Sequence, residues 1–114
     1  MAIIKSNVIK AEKKAGGKGT ITIEKVLGEN ELGCNEMFAK VTIPPGCSIG
    51  YHEHHGNTET YHILQGEALY NDNGNEMKIS VGTTTYCPDG EGHGIENCAA
   101  EGDLVFMALI TKTL

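Results

Sequence analysis

Apolar and polar residues alternate along this chain in short runs, and the runs are cut by turn-forming residues. Ala39, Val41 and Ile43 fall on one side of a stretch from Met37 to Ile43, with Phe38, Lys40 and Thr42 on the other. This period of two predicts a half-buried strand. The same rhythm predicts strands over Ile3–Ile9, Thr20–Leu27, Gly50–His54, Glu59–Leu64, Glu67–Tyr70, Glu76–Ile79, Thr83–Cys87, Gly94–Asn97 and Leu104–Thr111. Pro44-Pro45-Gly46 ends the strand before it. Asn73-Gly74 predicts a tight hairpin turn, because both residue types tolerate positive φ. Gly28–Gly33 reads as a turn, and the glycine-rich, basic run Lys13–Thr20 reads as a mobile loop. Helical periodicity is weak throughout. The fold class is all-β, a sandwich or barrel.

The chain has 114 residues, the size of one domain, with a net charge of −6. Its nine basic residues are all lysines; there is no arginine and no tryptophan. The acidic balance argues against a nucleic-acid surface. Without arginine, the chain lacks the usual bidentate clamp for carboxylate or phosphate. The longest apolar run, Leu104–Ile110, is far too short to span a membrane, and the N-terminal residues show no signal-peptide pattern. A cytoplasmic protein is expected. Cys34, Cys47, Cys87 and Cys98 lack any C-x-x-C spacing and are expected to be reduced thiols.

Two stretches carry candidate chemistry. Residues 46–66 read G-x5-H-x-H-x4-E-x6-G, and residues 82–97 read G-x5-P-x-G-x2-H-x3-N. On a strand, His52 and His54 point the same way and Glu53 the other. A four-residue loop, His55–Thr58, then makes Glu59 the first residue of a returning partner strand, able to face the same interior. His93 comes from a distant segment. Imidazoles with one carboxylate suit a divalent transition metal. A shifted register using Glu53 and His55 also exists, but it spoils the spacing from Gly46 and loses a histidine. His62 is out of phase with Glu59 and Tyr61 and should face away; His55 sits on the loop and is expected to be exposed. Tyr61 shares the face of Glu59 and is the candidate catalytic residue, as a general acid or orienting group, against the simpler reading of an aromatic pocket wall. Cys87 is expected to pack, and Tyr51 and Glu53 to point outward.

Both stretches resemble the two conserved motifs of the cupin superfamily, with the spacing that small single-domain members show. The resemblance covers Gly46–Asn97, a little under half the chain; the flanks carry no motif. It implies a jelly-roll β-barrel of two packed antiparallel sheets over a single domain, residues 1–114. It also implies His52, His54, Glu59 and His93 as ligands of one divalent ion (Mn, Fe, Ni, Zn or Cu), with Gly66, Gly82 and Gly90 in turns and Pro88 and Asn97 shaping the second motif. Cupins include dioxygenases, decarboxylases, isomerases and lyases, so the resemblance implies a metalloenzyme for a small oxygenated metabolite without choosing the reaction. The alternative is a non-catalytic small-ligand or metal-binding sensor module. Missing arginine disfavours oxalate-decarboxylase-like chemistry and favours neutral, enolic or phenolic substrates over dianions. The resemblance further implies a homodimer, with residues 1–33 at the interface and Ala2–Ile9 as a swapped strand.

Overall fold

The computed structural model describes residues 3–113. Ten strands follow one another: β1 (Asn7–Glu12), β2 (Thr20–Lys25), β3 (Asn35–Ile43), β4 (Ser48–Glu53), β5 (Asn57–Gln65), β6 (Glu67–Asp72), β7 (Asn75–Ser80), β8 (Thr84–Cys87), β9 (Gly92–Asn97) and β10 (Leu104–Lys112). They form two antiparallel sheets, ordered β1-β2-β3-β10-β5-β8 and β4-β9-β6-β7. The sheets pack face to face as a jelly-roll barrel. No helix among the described residues is long and apolar enough to cross a membrane.

Alternation builds the core. Ala39, Val41 and Ile43 of β3, Leu104, Phe106 and Ala108 of β10, and Tyr61 and Ile63 of β5 are all buried, while Lys40, His62 and Leu64 on the opposite face are exposed. Residues from the second sheet, Ala68, Tyr70, Ile79 and Ile95, close the core from the other side. β9 is buried on both faces, which its glycines permit: a Cβ at Gly92 would run into the ring of Tyr51, and one at Gly94 would press on the β4 backbone. Asn73-Gly74 makes the expected hairpin, at φ 50° and 98°. Gly66, Gly82 and Gly90 all adopt positive φ. Asn97 donates its amide to the carbonyls of Ile43 and Gly102, each at 2.9 Å, and so pins the end of β9. All four cysteines are free, with Cys87 buried.

Four expectations change. The first strand runs over Asn7–Glu12 rather than Ile3–Ile9, paired along its length with β2; Ala2 lies outside the described residues. Gly28–Gly33 holds a one-turn helix, α1 (Glu29–Leu32), because the Glu31 carboxylate accepts from the Gly28 amide at 3.0 Å. The run Lys13–Thr20 is fastened rather than loose. Lys18 N–H donates to Ser48 Oγ and Ser48 N–H donates to the Lys18 carbonyl, both at 2.9 Å. A Cβ at Gly17 would strike the Ser48 carbonyl, and one at Gly50 the Ala15 carbonyl. This loop thus lies directly on β4 as a strap. Finally, β4 and β5 are not hairpin partners. β4 pairs with β9, and β5 with β10 and β8. The loop after His54 carries the chain from one sheet to the other.

Candidate metal centre

That crossing places the candidate residues. His52 on β4 lies directly across from His93 on β9 in the strand register. Glu59 projects from β5 in the facing sheet. His54 sits just past β4, tied by backbone bonds to the turn before β9: His54 N–H donates to the Glu91 carbonyl at 2.9 Å, and Gly90 N–H to the His54 carbonyl at 2.7 Å. The two sheets therefore each contribute, and the site lies between them.

The four side chains converge. Glu59 Oε1 lies 3.0 Å from His93 Nε2, 3.1 Å from His54 Nε2 and 3.6 Å from His52 Nε2. The Nε2 atoms of His54 and His93 are 3.2 Å apart. One ligand atom from each residue falls within 4.8 Å of all the others. His54, Glu59 and His93 are buried, and His52 is partly exposed.

Each ring is oriented by its other nitrogen. His52 Nδ1 donates to the Gly50 carbonyl at 2.9 Å, a partner that can only accept. His54 Nδ1 lies 2.8 Å from Asn57 Oδ1. Asn57 donates its amide to Glu36 at 3.1 Å, so its oxygen is the atom facing the ring and His54 carries the proton on Nδ1. His93 Nδ1 meets the Tyr70 hydroxyl at 2.7 Å. On neutral His52 and His54, an Nδ1–H donor leaves Nε2 as a bare lone pair, as a metal ligand requires.

The electrostatics follow. Without a metal, Nε2 can carry a proton instead: burial opposes ionisation of Glu59, but Nε2–H donation from His52, His54 and His93 outweighs it and holds the carboxyl well below its usual range. The hydrogen bond to Glu59 raises His54 against the effect of burial, whereas burial keeps His93 below its ordinary value despite Glu59. Burial also raises Tyr61 well above 10, so its hydroxyl stays protonated near neutral pH.

Lone pairs and a carboxylate packed this closely repel one another unless protons or a metal ion lie among them. Bonds of ~2.1 Å to one ion put neighbouring ligands about 3 Å apart when they subtend a right angle. Three of the separations, 3.0, 3.1 and 3.2 Å, match that spacing, while His52 Nε2 stands farther off, 3.6 Å from Glu59. The donor set can therefore hold one divalent ion.

A cavity of about 310 Å³ opens onto the site and is lined by His52, His54, Glu59 and Tyr61. Its walls are Ile23, Met37, Val41, Ile49, Ala108 and Ile110, and Lys14 and Ala15 of the strap complete the lining. Tyr61 is a fully buried wall residue. Its ring stacks on His93, with centroids 4.8 Å apart at 18°, and packs on Phe106 at 4.4 Å. His62 faces outward and bonds Thr84, and His55 is exposed beside Glu53. The shifted register is thus absent from the cluster.

The motif spacing pointed to neither Tyr70, Asn57, the Gly50 carbonyl nor the strap. For Tyr70 a signal existed, since it alternates with Ala68 onto the inner face of β6. Tyr70→Phe is expected to fold normally and to weaken metal binding roughly 10- to 100-fold, the usual cost of an outer partner. Competition with a metal-sensitive dye measures it.

Known proteins share this frame. The family model for the cupin domain matches residues 39–110. An oxalate-binding protein of Thermotoga maritima is 36% identical over 112 residues, which cover 95% of this chain and 92% of that one. The crystal structure of a predicted oxalate decarboxylase from Thermotoga maritima superposes with a TM-score of 0.90 at 33% identity, covering 99% of this chain and 100% of the other. A Thermus thermophilus structure at 20% identity and a TM-score of 0.71, covering 81% of this chain and 83% of that one, shares the fold. The barrel topology, the converging imidazoles and these likenesses agree: this chain belongs to the cupin family.

Proposed function

We propose that this protein is a divalent-metal cupin acting on a small oxygenated metabolite, with His52, His54, Glu59 and His93 as the ligands. The observation that carries this reading is the convergence of three oriented Nε2 atoms and one carboxylate oxygen beside a cavity with apolar walls. A transition ion such as Mn, Fe, Ni, Zn or Cu would supply Lewis-acid or redox chemistry there. The chain's own residues do the rest. Glu59 offsets positive charge, and Gly50, Asn57 and Tyr70 hold the imidazoles. Tyr61 keeps a protonated hydroxyl beside the carboxylate, as a wall or as a proton donor. The apolar walls exclude water. The Thermotoga relatives named for oxalate support a small carboxylate or other oxygen donor as ligand.

The enzyme and sensor readings separate in one experiment. Metal-loaded protein is screened by thermal shift against small oxygenated metabolites, and the stabilising compounds are incubated and followed by mass spectrometry. An enzyme yields a product that His52→Ala does not form, although that variant still folds. Stabilisation with no product for any compound would favour the sensor. Variants that unfold would point instead to a purely structural ion.

We also propose a cytoplasmic homodimer. β1 is an edge strand, and Val8 and Ile9 on it are exposed, as is Ile4 just before it. An open apolar edge calls for cover. Light scattering should give about twice the chain mass of 12.2 kDa; a monomer would reject the dimer.

A further inference from the structure

The cavity says more about the ligand than the metal ligands do. Its walls are hydrocarbon from Ile23, Met37, Val41, Ile49, Ala108 and Ile110. At a liquid share of ~30 Å³ per water, 310 Å³ has room for on the order of ten heavy atoms. A bare two-carbon diacid would leave most of that apolar surface without a partner.

Charge balance narrows the head group. A divalent ion with the Glu59 carboxylate leaves one positive charge, because ligating imidazoles are neutral. A monoanion brings the buried site to neutrality. A dianion would leave an unpaired negative charge among apolar walls, which is costly. No arginine exists to offset it. Lys14 carries the one positive charge among the described lining residues, but it is solvent-exposed, where an ion pair contributes little.

Resting on the metal reading above, we propose that the cavity takes a monoanionic oxygen chelate with an apolar tail, such as a 2-oxo monocarboxylate bearing about four carbons beyond its oxygen-bearing head. The two head oxygens face the imidazole cluster. The tail lies against Met37, Ile49 and Ile110, under the strap at Ala15. The strap lines the cavity at Lys14 and Ala15, with Lys13 and Ala15 both in the left-handed region at φ 51°, a conformation that non-glycine residues seldom adopt.

The test is calorimetric titration of the full chain loaded with Mn(II), its metal content measured first, with 4-methyl-2-oxopentanoate, pyruvate, oxalate and 2-oxoglutarate. The branched monoanion should bind at least tenfold tighter than pyruvate, the effect of burying three further carbons, and tighter than either dianion. Ile110→Gln and Met37→Gln should each shrink the gap to less than threefold while leaving pyruvate within twofold of its affinity for the unaltered protein. Lys14→Ala should leave 4-methyl-2-oxopentanoate within twofold. Tightest binding by oxalate, or by 2-oxoglutarate with loss in Lys14→Ala, would overturn the proposal. So would equal binding of pyruvate and the branched acid, or a gap unchanged in both wall variants. A chain that takes up no Mn(II) would remove the metal reading itself, an outcome the prior metal measurement distinguishes from a failed ligand preference.

Discussion

Glu59→Gln is expected to weaken divalent-metal binding by more than about 100-fold, beyond the cost of losing an outer partner, while the barrel stays folded. Glu59 Oε1 is the atom that all three imidazole Nε2 atoms approach, at 3.0 to 3.6 Å. Glutamine keeps the shape but removes the charge that offsets a cation, and its amide can turn a donor toward the cluster. The metal-free protein should respond as well, and the sign follows from the direction of the shift. The Glu59 carboxyl titrates lower in the folded chain than its ordinary 4.5. Its contribution to stability is therefore fully present above that value and is lost as pH falls toward the folded pKa. The stability difference between the metal-free protein and Glu59→Gln, measured by urea unfolding, should be largest near neutral pH and narrow as the pH drops below 4.5. A difference that grew on acidification would mean that the carboxylate is not held by the histidines.

Tyr61→Ala is expected to cost about 3–5 kcal/mol of stability, as for other large aromatic truncations in a core. Tyr61 is 1% exposed, stacks on His93 and packs against Phe106. Its loss opens a void beside the most buried imidazole, so metal affinity should fall with stability. Tyr61→Phe keeps the ring and removes the hydroxyl. It should retain most of the stability and the bound metal, measured by chemical denaturation and dye competition. If Tyr61→Phe keeps fold and metal but abolishes turnover of a substrate, the hydroxyl is a proton donor; if turnover persists, Tyr61 is a wall.

Much of this was legible in the sequence because strand alternation and side-chain direction are local. Ala39, Val41 and Ile43 declare a buried face on their own, and so does the shared direction of His52 and His54. The short loop after His54 let Glu59 join them, and the resemblance of the two motifs to those of cupins brought in His93. Sheet membership was not legible in the same way. A short loop after His54 reads equally well as a hairpin or as a crossing between sheets, and only the pairing of β4 with β9 decides it. The strap misled for a related reason. Glycine-rich, lysine-rich composition ordinarily marks a mobile loop, but Gly17 and Gly50 are there to let two backbones touch, a long-range contact with no local signature. Tyr70 and Asn57 act through partners distant in sequence or set by loop geometry, so the motif spacing does not reveal them.

The most direct measurement is elemental analysis of the protein purified without chelators, beside Glu59→Gln prepared identically. The unaltered protein should hold close to one divalent transition ion per chain, exchangeable on dialysis against a chelator, and the variant little or none. Protein that carries no stoichiometric ion and takes none up from Mn, Fe, Ni, Zn or Cu, or a variant that retains its ion in full, would contradict the metal reading.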